Sequence, residues 1–372
     1  MKRALKVAVV FLLCAVLCAS SASACIFYPI YSIKPVGSSI EIVDETEDSV
    51  TLRKTDGSPF KIIMFTDTHF AVPTKKDKLS AHKLTAKALV MNIEREKPDL
   101  VLFGGDNVTS GFNRLRSHQF ARILEKLGVY WGGVLGNHEG DNNTSIHRDT
   151  MVKIFSSYNH CLMRQGKSDV DGNCNYTIRI LNADGSLKHA FICLDSFDRM
   201  SEADMERLGV DPADDPYDFV KQSQIDWYTS QVAAMKKEFG SCPSSVVLHI
   251  PLTQYQDAFD LVEKGKLQFL WGEKEDGIYC SAYDSGLFDA IVASRCTKTV
   301  FCGHDHMNSF GVNYKGIVLT YINPSGYGTY GFYRQGEPES RWQQGFTRLT
   351  LADDGTFTLE QVRNCDLYSF SE

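Results

Sequence analysis

The amino-acid sequence predicts an α/β fold arranged as one compact domain. Short apolar, β-rich segments alternate with helical segments along the first half of the chain, which is the pattern of βαβ units. Several of these apolar segments stop abruptly at Asp, Asn or His, where the sheet of an α/β protein carries its ligand site. The chain has 372 residues, of which 43% are hydrophobic and 23% are charged. These fractions are typical of a globular protein and exclude a disordered or collagen-like chain.

The first half of the chain contains three predicted strands separated by two helices. Residues 60–65 form a β-rich run, and residues 79–96 form a helix whose apolar face recurs at i, i+4 and i+7 from Leu84. Pro98 follows this helix and ends it, because proline cannot continue the helical hydrogen bonds. The pattern then continues with a strand at 99–103, a helix at 114–127 and a strand at 129–135.

The second half of the chain contains more β-structure. Residues 176–180 and 190–194 are predicted to pair around the turn at 182–185. Two helix–strand pairs and a final hairpin complete the pattern: a helix at 222–238 with a strand at 245–248, a helix at 284–294 with a strand at 299–302, and hairpin strands at 346–351 and 356–362. Trp227 and Tyr228 are predicted to be core residues of the first of these helices.

Residues 1–24 are predicted to be a secretory signal peptide. Lys2, Arg3 and Lys6 precede an apolar run, and Ala22-Ser23-Ala24 is a small-residue cleavage site. The alternative is a signal anchor that stays in the membrane. Cleavage removes three basic and no acidic residues, so the net charge changes from -7 to -10. No apolar window long enough for a membrane span follows the leader, so we expect none after cleavage and a protein that is secreted or kept in the endolysosomal pathway.

The cysteines and sequons fit a secreted chain. Nine cysteines remain after cleavage, an odd number that cannot all pair within one chain. Cys161 and Cys174 flank a short polar loop and are predicted to form a local disulfide, whereas Cys193 and Cys302 lie in apolar strands and are predicted to be free thiols. Three sequons, at Asn142, Asn143 and Asn175, are predicted glycosylation sites. The acidic net charge argues against a nucleic-acid partner.

Five apolar segments end in polar residues that together could bind metal ions. The five endings are Asp67-Thr68-His69, Gly105-Asp106-Asn107, Gly136-Asn137-His138-Glu139, His249 and Gly303-His304-Asp305-His306. Each motif alone is common as a turn, a capping pair or a core histidine. Carboxylate oxygens combined with imidazole nitrogens suit first-row transition metals. The set contains too many ligands for one tetrahedral zinc and enough for two ions that share a carboxylate.

These motifs resemble the calcineurin-like metallophosphoesterase superfamily, whose signature is D-x-H, G-D-x-x, G-N-H-[DE], a later His and G-H-x-H. The match covers about residues 60–333, and it looks most like the purple acid phosphatase-related branch through segments 249–252, 303–308 and 326–330. The resemblance implies a four-layer α-β-β-α sandwich with two mixed sheets flanked by helices. It also implies a single domain at 25–372 with its metal site between about 60 and 310.

The resemblance implies a role for each candidate residue. Asp67, His69 and His306 would hold the first metal ion, Asn137, His249 and His304 would hold the second, and Asp106 would bridge both. His138 would face the substrate instead of binding metal. Asn107 adjoins the bridging ligand, so its sequon is not expected to carry a glycan. Purple acid phosphatases carry a metal-binding Tyr at the position of Thr109, so we expect a non-purple centre whose metal pair is drawn from Fe, Zn and Mn.

The predicted function is hydrolysis of phosphomonoesters by a secreted, metal-dependent phosphatase whose substrate is a small phosphate ester. Two metal ions would clamp the phosphoryl group and generate the attacking hydroxide, and His138 would stabilise charge or protonate the leaving group. Asp305 and Glu139 would either orient imidazoles or lie at the surface. The alternatives are a phosphodiesterase acting on a nucleotide or lipid headgroup and a catalytically inactive binding protein. The complete set of ligand positions disfavours the last.

Two further segments of the sequence lie near or between these motifs. The aromatic residues after the last motif, Tyr321, Tyr327, Tyr330, Phe332 and Tyr333, would either line the substrate pocket or pack in a Gly-rich loop. Residues 211–218 form an acidic loop that is predicted to be solvated.

Overall fold

The computed structural model describes residues 32–71, 76–109, 111–141 and 145–369, and within these ranges the side chains of residues 76–80 and Arg334 are not described. The predicted signal peptide at 1–24 and the sequons at Asn142 and Asn143 lie outside the described residues. Within those ranges, none of the helices combines the length and apolar character that crossing a bilayer requires.

Fourteen strands and eight α-helices make up the described part of the chain. The strands are β1 (Ile40–Glu45), β2 (Ser49–Lys54), β3 (Phe60–Phe65), β4 (Leu100–Gly104), β5 (Tyr130–Val134), β6 (Tyr176–Leu181), β7 (Leu187–Cys193), β8 (Ser244–Val247), β9 (Phe269–Trp271), β10 (Thr297–Cys302), β11 (Gly311–Tyr314), β12 (Ile317–Tyr321), β13 (Gly345–Leu351) and β14 (Phe357–Arg363). The helices are α1 (Lys76–Glu96), α2 (Asn113–Leu127), α3 (Arg148–Ser156), α4 (Glu202–Leu208), α5 (Gln222–Phe239), α6 (Thr253–Glu263), α7 (Leu287–Ser294) and α8 (Phe332–Gln335).

The strands form two mixed sheets, which confirms the predicted fold class. The five-stranded sheet has the order β14-β13-β3-β4-β5, and the nine-stranded sheet has the order β1-β2-β6-β7-β8-β10-β12-β11-β9. Strands β3, β4 and β5 are parallel to one another, as are β7, β8, β10 and β12 in the larger sheet. The carboxyl ends of these two parallel sets carry the five polar motifs, so the fold gathers the motifs at one rim.

The central strands of the nine-stranded sheet are buried on both faces. Phe191, Val247 and Phe301 belong to a core cluster shared with Phe65 and Phe346 of the smaller sheet. The residues next to them along the same strands belong instead to a second cluster with α5, α6 and α7; examples are Ile192, Val246 and Val300 with Trp227, Tyr228, Tyr255 and Phe288. Consecutive side chains of a strand point to opposite faces, so one face packs on the other sheet and the other packs on helices.

The sequence prediction placed the βαβ units correctly and missed several shorter elements. Every predicted strand and helix is present within a few residues of its predicted bounds, and Trp227 and Tyr228 are buried as predicted. The missed elements are β1, β2, β9, β11, β12, α3, α4, α6 and α8. Strand β1 illustrates the difficulty: it lies at a sheet edge with four of its six residues exposed, so its sequence lacks the continuous apolar run of a central strand.

The predicted disulfide between Cys161 and Cys174 is wrong, because both are free, buried thiols. Cys161 pairs with Trp131 on β5, whereas the Cys174 thiol lies against the backbone of Leu135. Four residues of extended chain span about 13 Å, which is far beyond the reach of a disulfide. Cys193 and Cys302 are free core thiols, as predicted.

Asn175 is buried in the folded protein, which contradicts the prediction that it is a glycosylation site. Only 1% of its surface is exposed, and its side-chain amide donates a hydrogen bond to the carbonyl of Asp171 at 2.8 Å. Its Oδ1 accepts hydrogen bonds from the backbone N–H of Asp195 and from Gln224. Asn107 is also buried and donates to the carbonyl of Val134, in agreement with the expectation that it carries no glycan.

Replacing Phe120 on α2 with alanine should destabilise the fold. Its ring is fully buried and lies against Phe103 and Trp131, with ring centroids 4.8 and 5.7 Å away. We expect Phe120→Ala to lower the free energy of unfolding by about 3–5 kcal/mol, measured by chemical denaturation. The control is Phe112→Ala, whose side chain is 62% exposed, and the prediction fails if both variants have the stability of the wild type.

His189 on β7 should make the folded state sensitive to acid. The ring is buried between the carbonyl of Gly355 and the hydroxyl of Ser245, and burial lowers the pKa of His189 from 6.5 to about 4. A lowered folded pKa stabilises the protein above pH 6.5, and this contribution of about 3 kcal/mol is lost as the pH falls to 4. The stability difference between wild type and His189→Gln should therefore shrink over this range in denaturation curves. A difference that is constant with pH would contradict this assignment.

Candidate metal centre

The loops after β3 and β4 run side by side and position the first two acidic residues. The backbone N–H of Asp67 donates to the carbonyl of Gly105, and that of His69 donates to the carbonyl of Asp106, at 3.0 and 2.9 Å. Asp67, His69 and Asp106 all have φ between 45° and 56°. This left-handed conformation is uncommon for residues other than glycine, and it turns all three side chains into the same space.

Glycines in the motifs allow the loops to approach each other closely. A Cβ atom at Gly105 would lie 2.5 Å from Nδ1 of His249, and Gly105 also has a φ of +100°. A Cβ at Gly136 would clash with the carboxylate of Asp106. These contacts give a physical reason for glycine before Asp106 and before Asn137.

Asp67, His69, Asp106 and His306 form one group of potential metal ligands. One ligand atom from each of these buried residues lies within 4.8 Å of the others. Nε2 of His306 is 3.2 Å from Oδ1 of Asp67 and 3.2 Å from Nε2 of His69. Nε2 of His69 is also 3.5 Å from Oδ2 of Asp106. The four side chains therefore surround a volume of the size of a single ion.

Asp106, His249 and His304 form a second group that meets the same distance limit. Nε2 of His249 is 3.3 Å from Oδ2 of Asp106, and Nδ1 of His304 is 3.3 Å from Nε2 of His249. Asn137 joins this group, because its Oδ1 is 3.1 Å from Nε2 of His249. Asp106 is thus shared by both groups, which is the position that the sequence resemblance implies for a bridging ligand.

Hydrogen bonds on the far side of two rings fix which nitrogen faces the centre. Nδ1 of His249 donates to the carbonyl of Gly104 at 2.7 Å, which leaves Nε2 facing Asp106. Nδ1 of His306 lies 3.1 Å from the hydroxyl of Thr329. Partners of this kind hold metal-binding imidazoles in the required tautomer.

The pKa values of the imidazoles also favour the binding of a cation at this site. Burial lowers the pKa of both His69 and His304 from 6.5 to about 3, so both rings are neutral and can offer a lone pair. Burial would lower the pKa of His249 too, but the Asp106 and Asp67 carboxylates outweigh it and raise that pKa to about 9. The carboxylates therefore attract positive charge to the point where the ring nitrogens converge.

The donor set fits two metal ions. Oδ1 of Asp67 is buried and has no hydrogen-bond partner among the described residues, although it faces three imidazoles. Such an orphaned carboxylate oxygen is costly in a protein interior unless a cation balances it. Two carboxylates, one amide oxygen and four imidazole nitrogens match the ligand preference of Zn, Mn and Fe ions.

His138 stands at the edge of the centre and differs from the candidate ligands. Its side chain is 43% exposed, and Nδ1 donates to the carboxylate of Asp141 at 3.0 Å. Burial opposes protonation, but the hydrogen bond to Asp141 and the charge of Asp106 outweigh it and raise the pKa of His138 to about 9. The backbone N–H of His138 donates to Oδ1 of Asp106, so the ring and the shared carboxylate have a fixed relative position.

Glu139 and Asp305 are both buried, so the expectation of surface exposure is wrong for each. Within the described residues, the hydrogen bonds of these two carboxylates go to backbone N–H groups and to a tyrosine hydroxyl, and not to an imidazole. Glu139 accepts hydrogen bonds from the backbone N–H groups of Asn107, Val108 and Gly136 at 2.6, 3.0 and 2.7 Å. One carboxylate thereby joins the loop of Asp106 to the loop of Asn137. Asp305 accepts from the hydroxyl of Tyr321 at 2.6 Å and is 2% exposed.

A cavity of about 430 Å³ opens above the two ligand groups. Its wall contains His138 and three tyrosines, Tyr217, Tyr279 and Tyr330, together with Met307. The ring of Tyr330 stacks on His306 with centroids 4.1 Å apart, while Tyr321 and Tyr327 are fully buried. Of the aromatic stretch, then, Tyr330 lines the cavity and these two tyrosines pack inside the protein.

Tyr217 is a site residue that the sequence analysis missed. It follows the exposed residues of the acidic loop, and its ring lies edge-on to His304 with centroids 4.4 Å apart. The guanidinium of Arg199 covers the ring at 4.0 Å and also pairs with Asp215. The only sign of it in the sequence was an aromatic residue inside an otherwise charged loop. The acidic composition of this loop had instead led to the prediction that the loop is exposed to solvent.

Comparison with known proteins identifies the family. The family model described as "Calcineurin-like phosphoesterase" matches residues 60–308. The chain belongs to the calcineurin-like phosphoesterase family. All seven candidate ligands and His138 lie inside the matched region.

This phosphoesterase is similar in sequence to proteins named as purple acid phosphatases. The chain is 31% identical over 306 residues to "Probable inactive purple acid phosphatase 14" of Arabidopsis thaliana, covering 74% of this chain and 73% of the relative. It is 29% identical over 310 residues to "Probable inactive purple acid phosphatase 29" of the same plant, covering 75% of each chain. The crystal structure of a dimetal phosphatase from Danio rerio superposes with a TM-score of 0.53 at 14% identity, over 82% of this chain and 98% of that one, and shows the same fold.

Replacing Glu139 with glutamine should weaken metal binding without removing a ligand. The amide group of glutamine would face backbone N–H groups that now donate to a carboxylate oxygen. We expect the affinity of the apoprotein for Zn²⁺ or Mn²⁺ to fall about 10–100-fold, measured by competition with a chromogenic chelator. Glu125→Gln is the matched control, since Glu125 is a partly exposed partner of His160. An unchanged affinity would show that Glu139 does not position the loops.

Proposed function

We propose that this calcineurin-like phosphoesterase is a secreted phosphatase that hydrolyses small phosphomonoesters with a dinuclear metal centre. The observation that carries the proposal is the pair of ligand groups that share Asp106 and lie beneath an open cavity. The proposed ligands are the seven residues that the sequence resemblance implies: Asp67, His69, Asp106, Asn137, His249, His304 and His306. Secretion is proposed from the signal-like residues 1–24.

The charge of the centre suits a phosphate ester. Asp67 and Asp106 are the two carboxylates among the seven proposed ligands, the amide is neutral, and each imidazole is neutral when it binds a metal ion. When bound, two divalent ions would leave a net positive site for the phosphate dianion, polarise its oxygens and supply a hydroxide nucleophile near neutral pH. The negative net charge of the whole chain therefore does not oppose the binding of a small anion.

The chain's own residues would bind and orient the substrate around this centre. His138 faces the cavity and is held by Asp141 through Nδ1, so its Nε2 can donate to a phosphoryl or leaving-group oxygen. Tyr217, Tyr279 and Tyr330 would contact the leaving group at the mouth of the cavity. Contacts with Asp141 and His306 hold His138 and Tyr330 in place before substrate arrives, which lowers the cost of orienting them.

The names of the plant relatives favour a second candidate, a catalytically inactive binding protein on the same fold. The ligand set of this chain supports catalysis instead, because each proposed position carries a residue able to bind metal and the groups converge within 4.8 Å. The substitution of Thr109 for the purple acid phosphatase tyrosine removes the coloured iron–phenolate bond and leaves His69 on the same side of the centre. We therefore propose a non-purple and active enzyme.

The direct test compares turnover of para-nitrophenyl phosphate and of bis-para-nitrophenyl phosphate by the purified, metal-loaded protein. We expect faster hydrolysis of the monoester and two bound metal ions per chain by elemental analysis. Asp106→Asn should remove most of the activity and at least one metal ion, because Asp106 is shared by both ligand groups. Asp226→Asn is the control, since Asp226 is exposed on α5.

Each contrary result has a distinct meaning. Faster turnover of the diester would replace the phosphatase with a phosphodiesterase. No turnover of either ester by protein with two bound metal ions would favour the inactive binding protein. A fully active and fully metal-loaded Asp106→Asn variant would show that the centre is misassigned.

A further inference from the structure

Two cysteines lie side by side at the end of the large sheet opposite the metal centre. Cys242 precedes β8 and Cys296 precedes β10, two strands that are adjacent and parallel. Both side chains are buried, at 3% and 7% exposure, in the cluster that packs under α5 and α7. Their thiols are near enough to hydrogen-bond each other, and both lie near the hydroxyl of Tyr228.

The backbone around the two cysteines is anchored on both sides. The N–H of Ser244 donates to the carbonyl of Cys296 at 3.3 Å, and the carbonyl of Pro243 accepts from Ala190 at 2.9 Å. The hydroxyl of Ser244 also lies 2.9 Å from that of Thr297. Neighbouring chains of a sheet are about 4.8 Å apart, and a disulfide joins Cα atoms about 5.5–6 Å apart, so adjacent segments held in this way suit a bridge.

The other described cysteines have different neighbours. Cys193 contacts the hydroxyl of Tyr176, and Cys302 contacts the hydroxyl of Tyr255. Cys161 lies on the backbone of β5, and Cys174 on that of Leu135. Cys174 also lies near Cys193, and Cys302 lies near Cys280. Among the eight cysteines in the described part of the chain, Cys242 and Cys296 are the two whose thiols are close enough to hydrogen-bond each other and whose adjacent strands are held in register.

We propose that Cys242 and Cys296 are an oxidation site and form an intrachain disulfide when the chain matures in an oxidising compartment. The two thiols lose two protons and two electrons to a low-molecular-weight disulfide such as oxidised glutathione. One thiolate attacks the oxidant and displaces a glutathione thiolate, and the second then attacks the mixed disulfide and displaces the first-bound glutathione. The bridge does not touch the metal centre, so it is independent of the catalytic proposal.

The burial of the pair indicates when the bridge forms. Burial, together with the adjacent Cys296, raises the pKa of the Cys242 thiol to about 12, so little thiolate exists in the folded protein at neutral pH. Oxidation therefore takes place while the chain folds. Once formed, the bridge closes a loop between positions 242 and 296 that contains β8, α6, β9 and α7, and it restricts the unfolded chain.

The test maps the thiols of the full chain produced through the secretory pathway of a eukaryotic expression host. The medium is quenched with N-ethylmaleimide in guanidinium, and the protein is digested and analysed by mass spectrometry without reduction. We expect one linked peptide that joins Cys242 to Cys296, and its separation into two peptides after reduction. Maleimide on both cysteines, or a bridge from either to another cysteine, would overturn the proposal.

Thermal melting gives a second readout. We expect the reductant to lower the melting temperature of the secreted protein by about 5 °C, given the length of the loop and the size of the domain. Cys242→Ser should melt at the temperature of the reduced protein and show no response to reductant. The control Cys193→Ser should keep the response, because Cys193 lies elsewhere against Tyr176. A reductant response that persists in Cys242→Ser would contradict the pairing. If that variant is not secreted, the peptide map of the wild-type protein still shows whether Cys242 and Cys296 are linked.

Discussion

Repulsion among buried lone pairs is the constraint on which the candidate site depends. Two carboxylates and four imidazoles meet in a space where each group's ligand atoms lie within 4.8 Å of one another. Nε2 of His69 and Nε2 of His306 are 3.2 Å apart, and Oδ1 of Asp67 has no donor among the described residues. In an interior of low dielectric such an arrangement is unfavourable unless positive charge lies between the groups. The electrostatics therefore favour bound cations, and the stability of the fold offsets the cost of bringing the ligands together.

The rest of the structure explains how the chain maintains this arrangement. Two sheets place the carboxyl ends of their parallel strands at one rim, and left-handed residues turn Asp67, His69, Asp106 and His304 toward a common centre. Glu139 then joins two of the loops through three backbone N–H groups. Backbone strain and buried charge are both costly, and they persist because a large buried core surrounds the site. The buried core therefore stabilises the fold enough to keep these strained and charged side chains in place.

Secondary structure could be predicted from the sequence where apolar side chains form a clear pattern, and it was predicted less well elsewhere. The central strands β3, β4, β8 and β10 each contain an apolar run that is followed by a polar motif, so both the fold and the convergence of the motifs could be predicted from them. Short edge elements carry no such pattern. The Cys161–Cys174 disulfide and the glycan on Asn175 were predicted from local sequence spacing. Disulfide formation and glycosylation depend instead on burial and on contacts with residues distant in sequence, which the local spacing does not show. Tyr217 reaches the cavity from a loop whose composition indicated solvent.

Anomalous X-ray diffraction from metal-loaded crystals would show whether two metal ions share Asp106. Data collected at the absorption edges of Fe, Zn and Mn would show the number, position and identity of the bound ions. We expect two anomalous peaks about 3.5–4 Å apart, with Asp106 between them, His69 and His306 on one ion, and His249 and His304 on the other. No peak at this rim, or a single peak remote from Asp106, would contradict this expectation.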